Sequence, residues 1–178
     1  MEVILINAAV ETDANSSFIA ERLQAKYEGC KRFDLCNLEM DPTYGFRKDD
    51  SGFKPDMVED GLREVMGAVK DADLIILVSP NYFSFISGVA KLFLDKFYVF
   101  QNFSGRPTFG NDKKFFFVLT QASPNRSHGQ STLDWMKNFA GMFDMKFFGF
   151  VVPSCKGKEP SGAKVKIDEI SMSLNMFV

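Results

Sequence analysis

The chain has 178 residues, close to the usual size of one domain, and we expect a single domain over residues 1–178. Its 21 basic and 23 acidic side chains give a formal charge of -2, which offers no broad attraction for nucleic acid. No apolar run approaches the roughly 18 residues of a transmembrane helix, and the acidic start MEVILIN is unlike a signal peptide. Three cysteines without a CxxC pair fit a reducing compartment, so we expect a cytoplasmic protein with no nucleic-acid or membrane partner.

Ten patterned stretches divide the chain into alternating strands and helices. The strands are continuous apolar runs such as LIILVS, typical of parallel strands covered on both faces, whereas the helices repeat apolar residues every three or four positions. The predicted strands are residues 2–7, 31–35, 74–79, 113–120 and 146–152. The predicted helices are residues 16–26, 57–69, 87–100, 131–143 and 163–177. Right-handed crossovers then give an α/β fold, a three-layer flavodoxin-like sandwich with a five-stranded parallel sheet of order 2-1-3-4-5.

In such a sheet, ligands bind beyond the carboxyl ends of the strands, near the point where the strand order reverses. This rule selects three loops, at residues 7–17, 79–87 and 120–129. A further loop at 36–55 is rich in Asp, Gly and Pro, and we expect a substrate-side or dimer-side excursion there. The 20 phenylalanines include candidates for an aromatic pocket or an oligomer interface, although simple core filling is the better account of most of them.

The most informative loop is the exit of the third strand, SPNYFSFISGVAKLFLDKF, at residues 79–97. Pro80 fixes the turn. The amides of Asn81, Tyr82 and Phe83 are predicted to be free donors, because no strand ladder continues beyond the strand end. A flat heteroaromatic ring with carbonyls along its edge needs this combination of aromatic surface and donors. Alternatively, these aromatic side chains are ordinary packing residues.

This stretch resembles the NADPH-dependent FMN reductase and iron-sulfur flavoprotein branch of the flavodoxin-like superfamily. Its members have a strand ending in a Ser-Pro-x-Tyr turn, a small-residue helix start and a Lys-x-x-x-Asp-(Arg/Lys) pattern. The residues in register are Asp73, Ser79, Pro80, Tyr82, Ser87, Gly88, Lys91, Asp95 and Lys96. The resemblance implies noncovalent FMN with residues 80–83 along the isoalloxazine edge, a homodimer, and electron transfer from NAD(P)H to a quinone, flavin or other small acceptor.

The resemblance also implies cofactor contacts from the other two loops. The implied contacts with the FMN phosphate, at the start of the first helix, are Ala9, Asn15, Ser16 and Ser17. The implied contacts with the flavin ring and its ribityl chain are Thr120, Gln121 and Ala122. Alternatively, Asn15 or Ser16 is only the N-cap of the first helix.

The first loop departs from the family pattern, which approximates Gly-Ser-x-Arg-x-x-(Gly/Ser)-x-(Thr/Ser). Here Ala8 and Ala9 stand at the Gly and Ser positions, and Glu11 stands where the family has a basic residue. A carboxylate about 6 Å from a phosphate charge costs of order 1–3 kcal/mol. Arg126 in the third loop is a candidate to replace the missing positive charge.

These departures keep a second hypothesis open, a non-catalytic flavodoxin-like binding module that has lost tight FMN binding. A pure electron carrier is a third, disfavoured by the absence of a Ser/Thr-rich phosphate loop. Cys36 stands alone where the iron-sulfur members have a cysteine cluster, so no metal is expected, and it is either a redox thiol or idle. His128 either influences flavin protonation or is merely solvated, and the sequence assigns no catalytic residue.

Overall fold

The computed structural model of the protein describes residues 1–10, 14–42, 58–101, 107, 109 and 112–178. Its strands are β1 (Val3–Asn7), β2 (Lys31–Asp34), β3 (Leu74–Tyr82), β4 (Phe85–Ile86), β5 (Lys114–Thr120) and β6 (Lys146–Val152). Its α-helices are α1 (Ala14–Gln24), α2 (Arg63–Asp71), α3 (Gly88–Asp95), α4 (Gln130–Met142) and α5 (Ser161–Phe177). Short 3-10 helices cover Leu35–Asn37, Lys96–Phe100 and Arg126–Gly129.

Five of the strands form one parallel sheet in the order β2-β1-β3-β5-β6, and the two-residue β4 pairs antiparallel with the end of β3. Counted along the chain, the five parallel strands have the order 2-1-3-4-5, so the predicted flavodoxin-like sheet is confirmed. β1 has β2 on one side and β3 on the other. The strand order therefore reverses between β1 and β3, and the loops that leave their carboxyl ends flank the switch point.

Helices cover both faces of the sheet through two apolar cores, which gives the three layers of the fold. One core joins α2, α3 and α4 to the sheet and contains Val65, Phe93 and Met136. The other joins α1 and α5 to the opposite face and contains Ile19 and Ile170. The central strand β3 is buried on both faces along most of its length, which explains its continuous apolar sequence.

Phenylalanine fills a large part of the first core. The ring of Phe97 lies 5.1–5.5 Å, between centroids, from those of Phe93, Phe100, Phe139 and Phe143, mostly in edge-to-face contact. Among the described residues, Phe83 is the only exposed phenylalanine. Core filling therefore accounts for most of the described phenylalanines.

Three helix boundaries differ from the sequence prediction. α1 begins at Ala14, so neither Asn15 nor Ser16 is its N-cap and both lie in its first turn. α2 begins six residues later than predicted, and the Asp60 carboxylate accepts a hydrogen bond from the amide of Leu62 (2.9 Å) in the turn before it. The predicted third helix is α-helical only to Asp95 and then tightens into a 3-10 helix.

Two sequence-based interpretations fall on residues outside the described part of the chain. Glu11, the acidic departure in the first loop, is one of them, because residues 11–13 are not described. Most of the excursion predicted at 36–55 is the other, because residues 43–57 are not described. Both interpretations stay predictions.

Candidate functional site

A cavity of about 370 Å³ opens at the carboxyl edge of the sheet, where the loops after β1, β3, β5 and β6 meet. Its volume lies within the usual range of small-molecule sites. The sequence-predicted site residues that line it are Pro80, Asn81, Tyr82, Thr120, Gln121 and Ala122. Six of the eleven predicted residues, which come from two separate loops, are thus brought together around one space.

The exit of β3 forms a tight hairpin. Asn81 pairs with Ile86 and Tyr82 pairs with Phe85, so the strand ladder continues past Pro80. For Asn81 and Tyr82, the prediction that no strand ladder continues beyond the strand end is therefore wrong, because a two-residue turn lets the chain return antiparallel. Phe83 lies in the turn, and a free amide there stays a prediction. The turn leaves the Phe83 side chain fully exposed at its tip, outside the residues that line the cavity.

The hairpin turn is held in a left-handed conformation by contacts with α4. Phe83 and Ser84 have φ of 51° and 65°, a region that L-residues other than Gly, Asn and Asp rarely adopt. The hydroxyl of Thr132 donates to the Ser84 carbonyl oxygen (2.9 Å), and the ring of Phe85 makes an edge contact with Trp135 (centroids 5.0 Å apart). Tertiary contacts thus stabilise a turn that its own residues do not favour.

Gln121 connects the second and third loops at the floor of the cavity. Its Nε2 donates to the carbonyl oxygens of Ser123 (3.2 Å) and Asn125 (2.6 Å), and its Oε1 accepts from Asn81 Nδ2 (3.3 Å). The oxygen of the Asn81 amide, Oδ1, is buried and has no hydrogen-bond partner among the described residues. A buried acceptor without a donor costs about 1–3 kcal/mol, and this acceptor belongs to a residue that lines the cavity.

Two of the predicted phosphate contacts, Ala9 and Asn15, have hydrogen-bond partners within the protein. The amide of Ala9 donates to Asn7 Oδ1 (3.3 Å). Asn15 ties α1 to the start of α5, because its Nδ2 donates to the Glu159 carbonyl oxygen (3.3 Å) and its Oδ1 accepts from the amide of Ala163 (3.1 Å).

The side chains of the next two residues of α1, Ser16 and Ser17, differ in whether they hydrogen-bond within the protein. The hydroxyl of Ser16 is buried and lies 2.8 Å from that of Thr120 in β5. Ser17 is only half-buried, and its side chain makes no hydrogen bond within the described part of the chain. Contact of these residues with a phosphate stays a prediction, and the side chain of Ser17 is the one left available for it.

The base of the first loop is fixed by a charged group on β2. Asp34 accepts hydrogen bonds at 2.7 Å from Asn7 Nδ2 and from the Arg32 guanidinium. Burial acts to raise the pKa of the Asp34 carboxyl, but the hydrogen bonds from Arg32 and Asn7 and the charge of Arg32 outweigh it and lower the pKa overall. The carboxylate therefore stays ionised at neutral pH and holds the Asn7 amide with its Oδ1 toward the loop.

The loop after β6 contributes cavity residues that the sequence analysis missed. They are Cys155, Gly157 and Lys158. Lys158 supplies a positive charge, whereas the predicted substitute, Arg126, pairs with Glu169 of α5 (3.3 Å) and lies over the ring of Phe150 (4.9 Å). The structure thus places a different basic residue at the cavity.

The sequence between residues 1 and 158 matches the family model described as NADPH-dependent FMN reductase. The chain belongs to the NADPH-dependent FMN reductase family. The family suggested by the third-strand motif is thus confirmed, and the match extends to Lys158, through the loop that the sequence analysis overlooked. No curated protein matches the sequence.

Several solved structures have the same fold as this FMN reductase family member but low sequence identity to it. An FMN-dependent NADH-azoreductase from Bacillus anthracis, in complex with FMN, has a TM-score of 0.71 and 10% identity over 99% of both chains. An NAD(P)H:quinone oxidoreductase from Methanothermobacter marburgensis has a TM-score of 0.63 and 10% identity, over 97% of this chain and 92% of that one. Trp repressor binding protein from Bacillus subtilis has a TM-score of 0.63 and 15% identity, over 97% and 95%. At these identities the likeness shows the fold alone.

Other candidate residues of this family member lie away from the cavity. His128 is exposed, and its Nδ1 lies 2.8 Å from the Ser123 hydroxyl. Cys36 is also exposed, and burial raises the pKa of the Cys30 thiol to about 11, which makes that thiol a poor nucleophile. The described residues hold no cluster of three His, Cys, Asp or Glu side chains placed for a metal, and no described helix has the length and apolarity of a membrane span.

A larger cavity, of about 510 Å³, lies between residues 39–41 and 59–61. Four of its six lining residues are Asp or Glu. Such a lining disfavours an anionic ligand such as a nucleotide or FMN, and it contains none of the residues of the third-strand motif. The smaller cavity is therefore the candidate functional site.

Replacing Ser84 by glycine is expected to raise the free energy of unfolding by about 0.5–1 kcal/mol, because glycine adopts the left-handed turn without steric cost. Urea unfolding followed by circular dichroism measures the change. Ser84→Ala is the matched control, since alanine keeps the Cβ and should give no gain. Equal stabilisation by both variants would contradict the explanation.

Proposed function

We propose that the protein is an FMN-dependent oxidoreductase that passes electrons from NAD(P)H to a quinone, flavin or other small acceptor. The observation that carries the proposal is the cavity at the switch point, formed by the Ser-Pro-x-Tyr hairpin of the family together with Thr120 and Gln121. Bound there, FMN would supply hydride acceptance and onward electron transfer, and the protein would supply binding and orientation.

The residues at the cavity fit a flavin. Tyr82 offers an aromatic side chain that is 43% exposed, and Asn81 offers the unpaired acceptor that a ring N–H group satisfies. Ser17 in the first turn of α1 and the ammonium group of Lys158 supply donors suited to a phosphate. No side-chain acid or base is required for hydride transfer, which agrees with the absence of His, Asp and Glu from the described lining residues.

We further propose that the protein is a homodimer, as its resemblance to the family implies, and that it is cytoplasmic. The exposed tip of the hairpin supports contact with a second chain. The turn at Phe83 is strained, yet the exposed Phe83 ring makes no contact within the described part of its own chain that would stabilise it there. The three cysteines form no disulfide with one another, which suits a reducing compartment. Light scattering after size-exclusion chromatography measures the oligomeric state, and a stable monomer at micromolar concentration would remove the dimer from the proposal.

The first test is an absorbance spectrum of the purified protein before and after FMN addition and gel filtration. We expect a retained band near 450 nm, with about one flavin per chain, followed by NAD(P)H oxidation when a quinone or free flavin is present. Complete loss of the added flavin during gel filtration would contradict the proposal. Retained flavin without NAD(P)H oxidation would indicate an electron carrier and not an NAD(P)H-dependent oxidoreductase.

A non-catalytic binding module is the second candidate, and one observation favours it. The side chains of Asn15 and Ser16, which the family resemblance assigns to the phosphate, are committed to the fold. This candidate predicts no flavin uptake together with a stable complex or oligomer. The same gel-filtration experiment therefore distinguishes the two.

Reversing the charge of Lys158 is expected to weaken FMN binding about three- to tenfold while leaving riboflavin binding unchanged, because only FMN carries the phosphate. Isothermal titration of Lys158→Glu with both flavins measures the two affinities. Lys156→Glu is the matched control, since that lysine is also exposed in the same loop but does not line the cavity. Equal loss with FMN and riboflavin would show that Lys158 acts on the fold of the loop.

A further inference from the structure

We infer that Asn81 recognises the imide N–H of the flavin ring through its Oδ1, and that Gln121 is the positioning residue that fixes which end of the Asn81 amide faces the ligand. The inference rests on the proposed function, and it names the ligand group that this site selects. Three observations carry it: the hydrogen bonds of Gln121, the buried unpaired oxygen of Asn81, and the place of both residues in the wall of one cavity.

The direction of the Gln121 amide follows from its two backbone partners. The carbonyl oxygens of Ser123 and Asn125, at 3.2 and 2.6 Å, can only accept hydrogen bonds, so the Gln121 atom that faces them must be the donor Nε2. Its other terminal atom is then Oε1, an acceptor. The assignment does not depend on telling nitrogen from oxygen, because reversing the amide would set an oxygen against two carbonyl oxygens.

The direction of the Asn81 amide follows in turn. Gln121 Oε1 can only accept, so Asn81 must present its Nδ2 to it, as the 3.3 Å contact shows. Reversing Asn81 would set its oxygen against Gln121 Oε1. Asn81 Oδ1 therefore points away from Gln121, where it is buried without a partner among the described residues.

An unpaired buried acceptor at a ligand cavity selects a ligand that brings a donor. The oxidised isoalloxazine ring carries a single N–H group, its N3 imide, which lies between two carbonyls and is otherwise surrounded by acceptors. Asn81 Oδ1 is thus complementary to the one ring position that can donate. A reversed Asn81 amide would offer a donor instead. The hydrogen bond from Asn81 Nδ2 to Gln121 Oε1 prevents this reversal.

The experiment compares riboflavin with 3-methylriboflavin, in which a methyl group replaces the imide hydrogen, by quenching of flavin fluorescence. We expect the wild-type protein to bind riboflavin at least about tenfold more tightly than its methyl derivative. In Asn81→Ala the ratio should fall to about one. Asn138→Ala, an exposed asparagine on α4, is the matched control and should keep the wild-type ratio.

Gln121→Leu tests the positioning role, because it removes this hydrogen bond and leaves Asn81 in place. We expect it to retain riboflavin binding while its preference over 3-methylriboflavin falls at least threefold, a readout that a merely structural role would not move. Unchanged preference in this variant would overturn the role of Gln121. The wild-type comparison of the two ligands needs no variant, so poor folding of either mutant leaves the recognition of N3 testable.

The outcomes separate this inference from the proposed function. If the wild-type protein retains FMN but binds both riboflavins equally, the inference is overturned and the proposed function stands. Preference for riboflavin without retention of FMN supports the inference and contradicts the proposed function. Equal preference in the wild-type protein and Asn81→Ala overturns the inference, and failure to bind any flavin overturns both.

Discussion

Replacing Lys96 by alanine is expected to lower the free energy of unfolding by about 3–5 kcal/mol, because it leaves a partly buried carboxylate without its cation. The Lys96 ammonium is almost fully buried, 3.0 Å from Asp60 Oδ2, and it also donates to the carbonyl oxygen of Asp41 (3.2 Å). It therefore joins the end of α3 to two segments distant in sequence. Urea unfolding followed by fluorescence of the single tryptophan, Trp135, measures the loss.

Two further variants show whether the loss comes from the ion pair. Lys91→Ala removes a half-buried pair with Asp95 within α3 and should cost no more than about 0.5 kcal/mol. Lys96→Met keeps most of the aliphatic stem but still leaves Asp60 without its cation, so alone it should lower the free energy of unfolding substantially. Combined with Asp60→Asn, which removes the unpaired charge, it should recover much of that loss. A loss in Lys96→Ala no larger than that in Lys91→Ala would contradict the explanation.

The fold could be predicted because its strands are buried on both faces. Continuous apolar runs such as those of β3 and β5 are distinct from the helical repeats between them, and β6 begins and ends where the sequence predicts. The alternation of elements then leaves few topologies open, of which the observed order is one. Helix starts were less predictable, because a side chain such as that of Asp60 moves a boundary through a local hydrogen bond.

The candidate site was predictable in part. Six residues that the third-strand motif and the switch-point rule selected line the cavity. The hairpin was missed because neither Phe83 nor Ser84 is a residue that favours its turn, and contacts with α4 impose the conformation. Lys158 was missed because a lysine in a short polar loop has no distinctive spacing, and only the fold brings it to the cavity.

Ser87→Ala is expected to lower the free energy of unfolding by about 2–4 kcal/mol, the second largest effect on stability. The Ser87 hydroxyl donates to the Ala8 carbonyl oxygen (2.7 Å) and, as the N-cap of α3, accepts from the amide of Ala90 (3.3 Å). Alanine removes the cap, worth about 1 kcal/mol, and leaves a buried carbonyl unsatisfied, at about 1–3 kcal/mol. Thermal and urea unfolding measure the sum.

Ser87→Gly separates the two parts of this loss. Glycine costs only a few tenths of a kcal/mol at an N-cap, but it cannot donate to Ala8. The difference between the alanine and glycine variants therefore reports the cap, and the loss that remains in Ser87→Gly reports the hydrogen bond to the first loop. Because that bond joins the loops after β1 and β3, the glycine variant should also bind riboflavin more weakly. A glycine variant as stable as the wild-type protein would show that Ser87 acts only as a helix cap.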